Sequence, residues 1–317
     1  MLAKYKPSGA LTGKTFANAP LVLLGTAILG VVYQAIMHWI PLIYLELVAV
    51  AFMCILTGGI VGMLTKKTHC RNPAAGAAIG FAAGLVAVAV SHFVEYRLNR
   101  PEIVASAPAD IRAAVDANLT FIDYCQLRAE AGWTFGKLGQ SSTNKPTVSG
   151  AFVYIFWGVE ALLLIGAGTI GGYVSSAKPY CEPCRAWADH DMLKVEVPEP
   201  SAETVAAVTS AIAVTQLIPP KAAMIPPPRP AVPTDPKEAK KQAKAARTDS
   251  CLLYSVTSCP TCKMLHTLKV EQVTVTTRAG KSEKKTKTIH DSVVMTSQEV
   301  GTLAELNAPA VPAVVTT

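Results

Sequence analysis

The sequence predicts a membrane α-helical protein of four transmembrane helices carrying a small cytoplasmic β-rich module. Three observations lead there. Half of the 317 residues are hydrophobic and only 16% are charged, against about 25% in soluble domains. Four apolar stretches, Pro20–Met37, Leu42–Leu64, Ala74–His92 and Ala151–Val174, have the roughly 17 to 25 residues that cross a bilayer as helix, with Glu46 and Glu160 their only carboxylates. Beyond them stand two Cys-x-x-Cys pairs, Cys181/Cys184 and Cys259/Cys262.

In chain order the expected organisation is as follows. Residues 1–19 form a cytoplasmic tail and 20–92 the first three spans. Residues 93–150 form an external loop with one amphipathic helix from Asp110, its expected N-cap, to Gly132, followed by an irregular Gly/Ser/Thr-rich connection. Span four covers 151–174, and 175–217 holds the first cysteine pair and a helix over Ser201–Leu217. Residues 218–250 are a linker, first proline-rich with eight prolines between Ile218 and Lys237, then basic with Lys237, Lys240, Lys241, Lys244 and Arg247 at helical spacing. That basic face suits solvent or anionic lipid. Residues 251–306 carry the second pair, a short strand at Leu252–Ser255, strands at Leu268–Thr277 and Ile289–Thr296 joined by a charged turn over Arg278–Lys287, and a last helix capped by Ser297. The tail, 307–317, is expected to be disordered.

Orientation follows from Lys and Arg in the short flanks. Lys4, Lys6 and Lys14 precede span one and Lys66, Lys67 and Arg71 follow span two, whereas the turn between those spans has neither residue type. Both termini are therefore expected on the cytoplasmic side of a plasma (inner) membrane. The small residues Ala17–Pro20 precede the apolar run, and a signal-peptide cleavage site would follow it, so no cleaved leader is expected.

This placement sets the cysteine chemistry. In a reducing compartment paired Cys-x-x-Cys turns are metal ligands more often than disulfides. Four thiolates from two such turns complete a tetrahedral structural Zn²⁺ site, which makes the module zinc-knuckle or ribbon-like; the likeness is to the motif type alone. The 74 residues between Cys184 and Cys259 exceed the usual ribbon spacing. Lengthening a closed loop from about 15 to about 75 residues costs only ~1.4 kcal/mol, against ~10 to 16 kcal/mol from structural zinc. One joint site is thus expected; separate sites in a dimer, or completion by His190 or His266, are the alternatives. Cys54, Cys70 and Cys125 read as inert thiols.

A rival reading is redox. Leu252–Ser255 followed by Cys259-Pro260-Thr261-Cys262-Lys263 and Met264-Leu265-His266 resembles, locally, the strand, Cys-Pro-x-Cys and helix of glutaredoxins. That resemblance implies Cys259 as nucleophile and Cys262 as resolving thiol. The chain departs from the family in being short after the motif and in lacking its later Thr-Val-Pro loop.

In the spans, Gly76, Gly80 and Gly84 recur every four residues as a glycine zipper, with further glycines at 58, 59 and 62 and at 166, 168, 171 and 172. Such stripes permit close helix packing, within one subunit or in a homo-oligomer. Glu160 lies nine residues into span four, about 13 Å deep at 1.5 Å per residue. It should face other helices, with Tyr33, Gln34 or His38 in reach, and it is the candidate for a small transporter or channel function. No other nucleophile, phosphate loop or acid/base set stands out, and sparse aromatics give no case for nucleic acid. The sequence reading is a binding, scaffold or assembly component with lipid and an unknown protein as partners and no catalytic activity.

Overall fold

The computed structural model describes residues 2–39, 43–134, 147–218, 247–278 and 281–307. The chain divides into two compact units, Pro7–Lys178 and Met1–Lys6 with Pro179–Thr317.

Among its described residues the first unit contains four helices long and apolar enough to cross a membrane, the composition of a multi-pass membrane protein. They are α1 (Gly13–Trp39), α2 (Ile43–Lys67), α3 (Pro73–Ser106) and α6 (Ala151–Ser176). Large apolar side chains such as Ile55, Phe81, Leu162 and Ile170 point outward, as lipid-facing positions do. Between α3 and α6 come α4 (Arg112–Asn118), α5 (Phe121–Ala131) and two short strands, β1 (Trp133–Thr134) and β2 (Thr147–Val148). α3 begins where Asn72 accepts a hydrogen bond from the Ala75 N–H and Pro73 sits in the first turn, where its missing N–H costs nothing.

Three sequence expectations fail in this unit. α1 starts at Gly13, seven residues before Pro20, so the tail is shorter than 1–19. α3 does not stop at His92. It runs 34 residues, about 51 Å, because α4 and α5 pack on its extension. Tyr96 donates to the Leu119 carbonyl at 2.8 Å, Asn99 donates to Tyr124 at 3.0 Å, and Tyr96 meets Phe121 and Tyr124 ring to ring. The single loop helix is in fact two, since Leu119 leaves helical geometry and Thr120 forms a capping box with Asp123. Asp110 caps neither; Gly132 closes α5 as expected, at φ 66°. The Gly/Ser/Thr-rich connection lies mostly outside the described residues, as does the Glu46 side chain.

The glycine stripes face each other within the chain. A Cβ on Gly80 would fall on the Gly168 carbonyl, and one on Gly76 would lie 2.5 Å from the Gly172 carbonyl oxygen. One on Gly84 would lie 2.5 Å from Ile165 Cα. Gly58 and Gly171 play the same role between α2 and α6, and Gly30 between α1 and α3. The stripe of Gly76, Gly80 and Gly84 is thus met by α6 of the same chain, whereas nothing lies within 4 Å of the Cβ positions of Gly59 and Gly166.

The second unit is an antiparallel sheet in the order β5 (His190–Pro198), β6 (Arg247–Ser258), β7 (His266–Arg278) and β8 (Lys281–Met295), with a small hairpin of β3 (Tyr180–Cys181) and β4 (Ala186–Trp187). Its core joins Val195, Val197, Leu252, Tyr254, Val256, Leu268, Val270, Val293 and Met295 on one sheet face to Val208, Leu217, Val300 and Leu303 of α7 (Ala202–Ser210), α8 (Val214–Leu217) and α9 (Ser297–Asn307). The N-terminal segment extends the sheet, with Lys4 bridged to Val293, the Tyr5 N–H on the Ser292 carbonyl at 2.9 Å and the Val294 N–H on Ala3 at 2.8 Å.

Here too the structure corrects details. From residue 179 on, the regions 175–217 and 251–306 are one unit, joined by β5, a strand absent from the expected elements although Leu193, Val195 and Val197 alternate with Lys194 and Glu196. The strand at Leu252–Ser255 is twelve residues long. Lys281–Lys287 is ladder and not turn, paired with Gln272–Arg278. The Ser201–Leu217 helix breaks at Ala211, and Thr296, not Ser297, caps α9 in a box with Glu299. The proline-rich spacer and the basic run fall outside the described residues except for their ends, where Arg247 opens β6; the tail beyond Asn307 lies outside as well.

Candidate metal centre

Each Cys-x-x-Cys turn is the tip of an antiparallel hairpin. In the first, Cys181 pairs with Ala186 and Tyr180 with Trp187, whose rings meet edge to face at 5.0 Å. The Ala188 N–H closes the base on the Pro179 carbonyl at 2.9 Å. In the second, Ser258 pairs with His266, and the Cys259 N–H donates to Leu265 at 3.0 Å. In both turns the residue after the second cysteine is left-handed, Arg185 at φ 51° and Lys263 at φ 53°. That conformation is unusual for a long side chain, costing about 1 to 2 kcal/mol, and the two turns share it at the same position.

The sheet brings the turns together. β5 starts six residues after Cys184, and its first residue, His190, pairs with Ser258, the residue before Cys259. The long loop is therefore closed by the β5–β6 ladder, not by the cysteines alone. The ligand atoms of Cys181, Cys184, Cys259 and Cys262 all lie within 4.8 Å of one another, and Cys181 Sγ stands 3.6 Å from Cys262 Sγ. Cys181 and Cys259 are buried; Cys184 and Cys262 are partly exposed. This converges on the expected joint site, slightly looser than the about 4 Å spread that bonds of ~2.3 Å to a single ion imply.

Electrostatics fit a cation. Burial works to raise the Cys259 thiol, but N–H groups of Cys262 and Thr261 and the neighbouring thiols bring it down to about 7. Cys184 moves oppositely, up to about 12, held protonated first by its contact with Cys262 and then by burial. Burial also raises Cys181. One thiolate forms readily while its neighbours resist, because adjacent negative charges repel; a divalent ion would remove that repulsion and let all four ionise. Four sulfurs this close can hold a metal ion.

Neither histidine alternative is met. His190 is exposed, and His266 turns Nε2 to Ser297 Oγ at 3.3 Å. After Cys262 the chain bends through Lys263 and enters β7, where the glutaredoxin resemblance implies a helix. Cys251, in mid-sheet, lies outside the cluster and is pushed up to about 11, chiefly by burial and then by Glu196.

The remaining predicted site residue, Glu160, belongs to the helical unit. It is buried, 5% exposed, and Tyr33 donates to its Oε1 at 3.2 Å. Within electrostatic range of it stands Glu95 of α3, which is 3.3 Å from Arg128 Nε on α5. No signal in the sequence linked those two residues.

The fold and the cluster define a class: four apolar, membrane-type helices with a small antiparallel sheet bearing a four-cysteine cluster. No family model, curated protein or solved structure matches the chain.

Proposed function

We propose that Cys181, Cys184, Cys259 and Cys262 hold one structural Zn²⁺, and that the protein is a multi-pass component of the plasma (inner) membrane that binds or assembles a protein partner without catalysing a reaction. The convergence of four sulfurs within 4.8 Å carries the metal assignment. Zinc suits it, being redox-inert and satisfied by tetrahedral thiolates. A scaffold role accords with a site closed by four protein ligands, which leaves no open position for substrate. Metal analysis of the purified full chain is expected to find one zinc per chain, with thiols that react only after chelation.

A second reading, thiol–disulfide exchange by Cys259 and Cys262, draws on the lowered Cys259 thiol. A metal-free protein whose Cys259/Cys262 pair oxidises readily would favour it over zinc.

Both termini are assigned to the cytoplasm from the basic flanks, and the pairing of Ala3 and Tyr5 with β8 supports one side for both. Reporter fusions at Thr317 and Ser141 are expected to report opposite sides, Thr317 cytoplasmic; an external Thr317 overturns the assignment.

A further inference from the structure

The helical unit contains a graded series of ionisable side chains that the metal centre does not use. Relative exposure is 5% for Glu160 and, for the side chains, 13% at Glu95, 20% at His92 and 35% at Arg128. The series thus starts in the bundle interior and ends at the half-exposed surface of α5.

Its links are a hydrogen bond, a ring contact, two close charge pairs and electrostatic proximity. Tyr33 of α1 donates to Glu160 Oε1 at 3.2 Å, beside an apolar cluster of Val50, Met53 and Leu164. The Cys54 thiol of α2 lies within electrostatic range of Glu160, as do His92 and Glu95 of α3. The His92 ring meets Trp157, one turn before Glu160 on α6, edge-on at 5.4 Å. His92 Nδ1 stands 3.6 Å from Glu95 Oε2, and Arg128 Nε 3.3 Å from Glu95 Oε1. On α5, Tyr124 and Cys125 also lie within electrostatic range of Glu95.

We propose that Glu160 is a reversible proton-binding site inside the bundle, filled and emptied from the α5 side through His92 and Glu95. Over the whole path a hydronium ion gives up one proton and leaves as water while a carboxylate oxygen of Glu160 gains one; release is the reverse, and nothing is oxidised or reduced. An imidazole suits the intermediate position because it takes a proton on one ring nitrogen and gives one up from the other near neutral pH. A metal cation fits less well, since hard ions need six or more oxygen ligands and Glu160 has one carboxylate with a tyrosine hydroxyl. A purely structural hydrogen bond to Tyr33 would need only an amide, without the roughly 2.5 to 3.5 kcal/mol that an ionisable group costs at mid-membrane. The inference is independent of the zinc reading, because it concerns the other unit.

The test is infrared spectroscopy of the full chain in lipid nanodiscs, following the carbonyl band of a protonated carboxyl as pH is stepped and water is exchanged for D₂O. A band that grows on acidification is expected, absent in Glu160→Gln, shifted in frequency in Tyr33→Phe, and exchanging about tenfold more slowly or worse in His92→Phe, equivalent to about 1.4 kcal/mol of added barrier. If Glu160→Gln does not fold, the Tyr33→Phe shift makes the assignment. A band indifferent to pH and D₂O, no band traceable to Glu160 by either variant, or unchanged exchange in His92→Phe would overturn the proposal.

Discussion

Cys259→Ser is expected to abolish the proposed zinc binding and to unfold the β3–β4 hairpin while leaving the rest of the sheet in place. A structural zinc site contributes about 10 to 16 kcal/mol in small peptides, and a closed tetrahedral site draws on all four of its protein ligands. The two regions respond differently because their supports differ. The β3–β4 hairpin pairs Tyr180 with Trp187 and Cys181 with Ala186, and a two-stranded hairpin of that size is not stable by itself. The main sheet has its own apolar core, from Val195 to Leu303, distributed over four strands and three helices. Hydrogen exchange should therefore show Tyr180–Ala188 losing protection by orders of magnitude, with Leu252–Val256 still protected and zinc below stoichiometric after dialysis. Cys251→Ser is the control, a thiol on β6, the strand that leads into Cys259, and outside the cluster, expected to leave the proposed zinc binding intact. A Cys259→Ser protein that retains zinc and a protected hairpin would sink the four-cysteine site.

Gly80→Leu is expected to break the α3–α6 crossing. The new side chain would meet the Gly168 carbonyl and, at 2.9 Å, the Thr169 nitrogen, all backbone atoms that no rotamer change can move. The helices must separate, and the neighbouring Gly76 and Gly84 contacts go with them. Overpacking a core usually costs about 1 to 3 kcal/mol, and a backbone-on-backbone clash should exceed that range. Gly166→Leu on α6 is the matched control, because nothing lies within 4 Å of its Cβ position. Thermal unfolding in nanodiscs should show Gly80→Leu misassembled or strongly destabilised and Gly166→Leu close to wild type. Equal stability of the two variants would mean that the glycine stripe does not set this crossing.

The contrast between these glycines shows what was legible in the chain. Spacing every four residues marks a stripe on α3, since side chains four apart share a helix face. Nothing in that spacing tells whether the stripe meets another helix of the same chain or a second copy, because both partners would be small-residue faces. Gly168 and Gly172 of α6 meet it, and only the three-dimensional path of the chain decides that. The same holds for Glu160. Its depth follows from counting residues, whereas its contact with Tyr33, 127 positions away, does not.

Local chemistry could be read directly where it is local. The apolar runs, the two cysteine turns and the Gly132 stop depend on residues within a few positions, and the structure shows each of them. The end of α3 was misread because hydropathy falls after His92, yet Tyr96 and Asn99 hold the helix through contacts with α4 and α5. Lys281–Lys287 looked like a turn because its charges repel burial, but a strand needs only backbone partners, and Gln272–Arg278 supply them. The amino-acid sequence by itself determined four membrane-type helices and two metal-type turns, since hydrophobic length and Cys-x-x-Cys geometry are short-range properties. The tertiary structure alone decided that the two turns share one site: β5–β6 pairing closes 74 intervening residues, and long-range ladders are chosen by the packing of the whole sheet.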